Sequence, residues 1–158
     1  MTSLWRISNH SDLVGLGGER ADGRWHTAAP GKRIVYLSEH PAVALLESLA
    51  NLKGNPALFP DKYQLLQIEV PAELYRKVKP LLDDKGRALT QTQSRQAGDQ
   101  WLRSKTSALV AVPSIPSPHS TNILLNPLHP DAAKLHITGS ERLQYDKRLF
   151  HLQPKLVK

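Results

Sequence analysis

The chain has 158 residues, the length of one domain with one core. Apolar residues make up 40% and charged residues 22%, which excludes a disordered polyelectrolyte. Lys and Arg number 21 against 14 Asp and Glu, and the net charge of +7 favours polyanionic partners such as nucleic acid, a dinucleotide or an acidic protein surface.

The absence of cysteine removes disulfide scaffolds, thiol nucleophiles and Cys-based zinc sites. No apolar run approaches the roughly 18 residues of a membrane span. The start Met1-Thr2-Ser3-Leu4-Trp5-Arg6 lacks the basic and apolar stretches of a signal peptide, so the expected address is the cytoplasm. No block of about five basic residues forms a nucleic-acid tail, and 6% aromatics make a poor stacking platform.

In chain order, residues 4–8 read as a first strand and 12–22 as a Gly-rich polar loop. Residues 24–27 could open a second strand, and Ala29-Pro30-Gly31-Lys32 is a turn. Residues 33–37 (RIVYL) are the clearest strand, with Ile34 and Tyr36 facing one way and Val35 and Leu37 the other. Ser38 is placed to cap a helix over 40–52, whose core face is expected to be Ala42, Leu45, Leu46, Leu49 and Leu52. Glu47 falls at the margin of that face, where it can point into a cleft beside the core. A Pro-containing loop over 55–62 leads to a strand at 63–70 (YQLLQIEV), a helical turn at 73–77 and an irregular polar stretch at 83–93. A helix follows over 94–103, burying Ala97, Trp101 and Leu102. Strands at 107–112 (SALVAV) and 122–125 (NILL) come next, then weaker ones at 134–137 and 141–145, arranged as a hairpin around Gly139-Ser140. The basic stretch 147–158 is expected to be loose. Several short strands with two or three helices and no strict alternation predict a single mixed α/β, or α+β, domain.

Several chemistries are excluded by motif. There is no G-x-x-x-x-G-K-[ST] loop, no G-x-S-x-G elbow and no H-E-x-x-H. The cluster Gly15-Leu16-Gly17-Gly18 reads as a loop rather than a phosphate cradle. Four residues stand out, each with a plainer reading beside it. Arg24, in Asp22-Gly23-Arg24-Trp25, suits a pyrophosphate by its planar fork or simply pairs with a carboxylate. Tyr36 forms one wall of a base pocket or is an ordinary core tyrosine. Glu47, on a helix rich in Ala and Leu, is either paired, with Arg24 or another Arg, or used; otherwise it is a partly exposed helix Glu. Ser114 puts a hydroxyl at the tip of a buried strand or is loop chemistry after Pro113.

Together and in order, the run GRW…IVYLSEHPAVALLES…GDQWL…ALVAVPS…NILLNPLHPD resembles the RES domain family, named for its Arg, Glu and Ser. The resemblance covers the chain from Trp5-Arg6 to Phe150, and implies a RES domain over 1–150 with a basic tail over 151–158. It implies Arg24, Glu47 and Ser114 as the family's Arg, Glu and Ser, with Tyr36, Arg6 and Asn122 matching further family positions. Asp22 and His26 depart from the family's usual Gly and Asn. The implied fold is that of ADP-ribosyltransferases, a split, bent β-sheet with flanking helices that binds NAD in a cleft. The implied activity is that of the toxin of a toxin–antitoxin pair that acts on NAD, by hydrolysis, by phosphorolysis or by ADP-ribosyl transfer to a protein. NAD would be the substrate, with no metal. In this expectation Glu47 stabilises the developing ribosyl cation, Arg24 and Arg6 bind the phosphates, and Tyr36 packs against nicotinamide or ribose. Ser114 and Asn122 would hydrogen-bond ribose or amide groups. The implied partner is an Xre-like helix-turn-helix antitoxin covering the cleft with an acidic plug, so that DNA is met only through the antitoxin. A non-catalytic basic module for nucleic acid is the competing reading from a different class.

Overall fold

The computed structural model describes residues 1–52 and 62–151. The expected loop over 55–62 therefore lies almost wholly outside the described residues, as does the tail beyond His151. Six strands form one antiparallel sheet in the order β4-β5-β2-β1-β3-β6: β1 (Thr2–Ser8), β2 (Val35–Ser38), β3 (Gln64–Val70), β4 (Leu109–Pro113), β5 (Thr121–Leu125) and β6 (His136–Arg142). Four helices accompany it: α1 (Gly17–Arg20), α2 (Pro41–Asn51), α3 (Ala72–Tyr75) and α4 (Gln91–Ser104).

The strands form where β-branched and aliphatic residues alternate. On β2, Val35 and Leu37 pack on one face with Leu4, Leu66, Ile68, Ile123 and Leu125. Ile34 and Tyr36 face the other way and meet Trp25, Trp101, Val112 and Leu124. The pairing is uneven. β1 and β3 are in register from Thr2↔Val70 to Ser8↔Gln64, whereas β1 and β2 share only Trp5↔Ser38. The sheet is thus split between β1 and β2.

Helix α4 starts at Thr90, whose hydroxyl accepts from Gln93 N–H while the Gln93 side chain accepts from Thr90 N–H, a reciprocal cap. It ends at Lys105 in the left-handed conformation, φ 49°. Its contact with residue 25 depends on Gly98, where a Cβ would stand 1.7 Å from the Trp25 carbonyl oxygen. Trp101 and Leu102 are buried as expected, but Ala97 is only half-buried; Ser94 and Gly98 take the buried positions.

Other expectations are corrected. The N-cap of α2 is His40, whose Nδ1 accepts from Ala42 N–H at 3.1 Å, with Pro41 in the first turn; Ser38 instead ends β2. The buried face of α2 carries Val43 and Ala44, with Ala42 exposed and Leu46 40% exposed. Glu47, three and four residues on from Ala44 and Val43, is therefore on the inward face rather than at its margin. Residues 24–27 make a tight turn bridged at Gly23↔His26, not a strand. The expected loop over 12–22 includes the one-turn helix α1, Gly17–Arg20, which the Gly-rich polar composition masks. Residues 136–142 run as one strand through Gly139-Ser140 rather than turning back. The local pattern is interrupted by a bulge, where β3 passes from Gln67↔Gly139 to Ile68↔Ile137 and Thr138 is left over. Residues 147–151 form a 3₁₀ turn.

Candidate active site

The site is built on the polar end of one sheet face. Ser38 and Asn122 are registered partners on β2 and β5, and Val112 of β4 is in turn paired with Asn122. Side chains in register share a face, so Ser38, Asn122 and, two residues beyond Val112, Ser114 gather there. The inward face of α2 delivers Glu47 to them. Glu47 Oε1 accepts from Ser114 Oγ–H at 2.8 Å and from Asn122 Nδ2–H at 2.6 Å. Asn122 Oδ1 in turn accepts from Ser38 Oγ–H at 2.7 Å. Ser38, Ser114 and Asn122 are all buried. Ser114 Oγ also accepts from Ser117 N–H, and Ser114 N–H donates to the Ser120 carbonyl, so the loop after β4 fixes the hydroxyl.

Glu47 was expected to pair with Arg24 or another arginine if it was paired at all. Its partners are neutral, and among the described residues no cation neutralises it. Both bonds fall on Oε1.

Arg24 is carried by a turn held from many sides. Asp22 Oδ1 accepts from Ala28 N–H, and the Asp22 carboxylate lies 3.7 Å from Arg95 Nη1. Arg95 Nε–H donates to the Gly23 carbonyl, and Asp99, itself bridged to Lys32, accepts from Thr27 N–H. Beneath the turn, His26 Nε2 lies 3.0 Å from the Ala21 carbonyl and His26 Nδ1 lies 2.7 Å from the Tyr36 hydroxyl. A carbonyl only accepts, so Nε2 carries the proton; the neutral ring then accepts from Tyr36 at Nδ1. Tyr36 oxygen accepts from Trp25 N–H at 3.3 Å. Burial lowers the His26 pKa and raises that of Tyr36, which keeps both neutral near pH 7. Gly23 makes this packing possible, because a Cβ there would lie 2.2 Å from the Tyr36 hydroxyl. Within this fastened turn, Arg24 Nε is buried with no hydrogen-bond partner. Buried donors are almost always satisfied, so the orphan points to a missing acceptor.

The Tyr36 hydroxyl is engaged by the turn, not turned outward. Asp22 and His26, the departures from the family pattern, are structural fasteners of the turn that carries Arg24. Arg95, which sequence reasoning did not single out, is a cation that fastens that turn; one exposed Arg in a polar helix gives no signal of it.

Arg6 is not brought to this group. Its partner Leu66 and its neighbour Leu4 lie on the opposite face of the sheet. It lines a separate cavity of about 310 Å³ with Ser8, His10 and Arg20, and its Nη1–H donates to the Asp12 carbonyl. Burial lowers its pKa, an effect that Asp12 partly offsets. A groove of about 1190 Å³ between α4 and residues 76–84 is lined by neither Glu47 nor Arg24.

The carboxylate, the held hydroxyl and amide, and the arginine are the residues that the resemblance to the RES domain family implies. The profile of the RES domain matches residues 3–146. The chain belongs to the RES domain family. It is 40% identical over 149 residues to "Toxin Res" of Pseudomonas putida, covering 93% of this chain and 99% of that protein. It is 33% identical over 164 residues to the "Prs ADP-ribosylating toxin" of a Sphingobium species, covering 94% and 96%. The relatives place it among the toxins of the family. Its fold is that of a chain in the crystal structure of the M. tuberculosis MbcT–MbcA toxin–antitoxin complex, with TM-score 0.69 at 16% identity, covering 95% of this chain and 87% of that one. Among the described residues of this RES domain, no helix is long and apolar enough to cross a membrane, and no three His, Asp or Glu side chains gather as metal ligands.

Proposed function

We propose that this RES domain is a toxin that cleaves the nicotinamide–ribose bond of NAD, with Glu47 as the catalytic carboxylate. The observation that carries the reading is the state of Glu47: one oxygen fixed by two neutral donors, no neutralising cation, and the other oxygen without a bond among the described residues. Such a carboxylate is suited to a reaction in which positive charge develops beside it. When the C1′–N bond breaks, its electron pair leaves with the nicotinamide nitrogen, which turns from cationic to neutral. The charge passes to the ribosyl group, an oxocarbenium-like centre that Glu47 stabilises. Water or inorganic phosphate then adds at C1′ and loses a proton. The leaving ring departs neutral, so the step needs no strong general acid.

Arg24 serves the other end of the substrate. A pyrophosphate oxygen supplies the acceptor that its buried Nε lacks, and the clamped turn holds the guanidinium ready before substrate arrives. Tyr36 and Ser38 lie two residues apart on β2, roughly 7 Å, so the turn and the carboxylate hub stand at neighbouring points of one strand face. Ser114 and Asn122 act by holding Glu47. Arg6, on the other face, is dropped from the phosphate site.

A second reading uses the same bond cleavage but transfers ADP-ribose to a protein side chain; the similarity to the Sphingobium ADP-ribosylating toxin favours it. In either case the chain is held in check by an antitoxin, as the MbcT–MbcA complex suggests, with an Xre-like helix-turn-helix partner whose acidic segment covers the cleft. NAD depletion or modification of a cell protein arrests growth from the cytoplasm.

The test incubates the purified, antitoxin-free chain with NAD, with and without phosphate, and identifies products by mass. Nicotinamide release is expected, falling by about 10²- to 10³-fold in Glu47→Gln. Free ADP-ribose or its phosphate favours the first reading, and label on lysate protein the second. Intact NAD in every tube, with no uptake of ADP-ribose by lysate, overturns both.

A further inference from the structure

Ser38 touches neither Glu47 nor, in the proposed function on which this inference rests, the substrate. Yet it anchors the far end of the Asn122 side chain that holds Glu47. The two ends of the Asn122 side chain have nearly the same shape and opposite hydrogen-bonding character. Glu47 only accepts, so the NH₂ end must face it; the reversed amide would set two oxygens against each other. Glu47 therefore sets the sense of the amide, and Ser38 secures its other end. Asn122 Oδ1 is 2.7 Å from Ser38 Oγ, and both residues are buried, Ser38 at 4% and Asn122 at 8% exposure. An oxygen acceptor there obliges Ser38 to donate. The bonds therefore run in one sense, from Ser38 to Asn122 to Glu47, where they meet the bond from Ser114.

Ser38 is also the residue of β2 that registers with Trp5 of β1. The orientation of the amide is thus anchored to backbone at the join of the two sheet halves, not to a mobile surface group. The cap of α2, which the sequence suggested as the role of this serine, is made by His40 instead.

We propose that Ser38 is a positioning residue: by donating to Asn122 Oδ1 it locks the amide so that its N–H fixes Glu47 Oε1 and leaves Oε2 for the reaction. Without the hydroxyl, a buried amide oxygen loses its donor, the amide is no longer anchored at that end, and its bond to Glu47 loosens.

The experiment compares the full chain with Ser38→Ala and Ser38→Thr. The first readout is the side-chain amide signals of Asn122 in ¹⁵N NMR. They should shift, with faster proton exchange, in Ser38→Ala and stay close to the parent in Ser38→Thr, which keeps the hydroxyl on a strand that suits a β-branched residue. The second is nicotinamide release. Ser38→Ala should lower kcat by about 10- to 100-fold with little change in KM, because the binding arginine is on another segment. Ser38→Thr should restore most of it. Unchanged Asn122 amide signals in Ser38→Ala, or equal loss of kcat in the Ala and Thr variants, overturns the assignment. If the parent chain leaves NAD intact while the Asn122 signals respond as described, the NAD reading fails and the positioning role stands.

Discussion

The two halves of the sheet differ in how they pair and in what they carry. β1, β3 and β6 run side by side over most of their lengths, while β2, β5 and β4 share one core with that block but pair with it only at Trp5↔Ser38. The first block is built from Leu4, Leu66, Ile68 and Val70, and its one candidate residue, Arg6, looks away from the site. The second block carries Tyr36, Ser38, Asn122 and Ser114, and α2 lays Glu47 across them. A strand in long register has its backbone committed to its neighbours. The hub gathers at strand ends, where Ser38 closes β2, Asn122 lies at the start of β5 and Ser114 follows β4, so a polar group forms at the edge of a core without breaking it.

That contrast can be broken first by cavities. Leu66 and Leu124 are both fully buried, one in each block. Truncating either to Ala should cost about 2–5 kcal/mol, read from denaturant midpoints. Only Leu124→Ala, whose side chain shares a face with Asn122 and pairs with Tyr36, should also lower kcat per folded molecule. Equal effects on kcat would mean that the blocks are not functionally separate.

Next comes the contact that seats the Arg24 turn. Gly98→Ala should cost about 1–3 kcal/mol, because the added methyl group meets the backbone oxygen of Trp25. It should also weaken binding of ADP-ribose, measured by calorimetry, since Arg24 moves with that backbone. Gly17→Ala, where nothing stands within 4 Å of the added Cβ, is the control expected to leave both unchanged or slightly improve stability. A Gly98→Ala chain with parental stability and affinity would show that the turn is not held by α4.

The smallest effect is a pH dependence. Burial holds the His26 imidazole below its ordinary value of 6.5. As pH falls past that value the unfolded chain takes up the proton first, so this group's contribution to stability is full above it and declines below it, until the folded imidazole titrates too. Asp99 and Asp22 resist the shift and Lys32 reinforces it. Unfolding midpoints at about pH 7.5 and about pH 5.5 should therefore differ more in the parent than in His26→Asn. The same slope in both would place the acid sensitivity elsewhere.

Much of this protein was legible in its residues. The strands RIVYL, YQLLQIEV, SALVAV and NILL, the two-sided alternation of Ile34 through Leu37 and the helix carrying Trp101 follow from local pattern, because side-chain period and turn chemistry act within a few residues. The family, and with it the choice of Arg24, Glu47, Ser114, Tyr36 and Asn122 as residues to watch, followed from motif order. Tertiary structure decided what those residues touch. The face of α2 was misread because Leu46 and Ala42 look apolar while their exposure depends on what the sheet leaves uncovered. Ser38 read as a cap because its link to Asn122 spans 84 residues, beyond the reach of any local rule. Arg6 and Arg24 have the same chemistry in sequence; strand alternation sends one to the far face, and a clamped turn leaves the other with a buried donor and no acceptor. Sequence pattern fixes which way each element leans, but the partner of a buried polar group is settled only when distant strands come into register and water is gone.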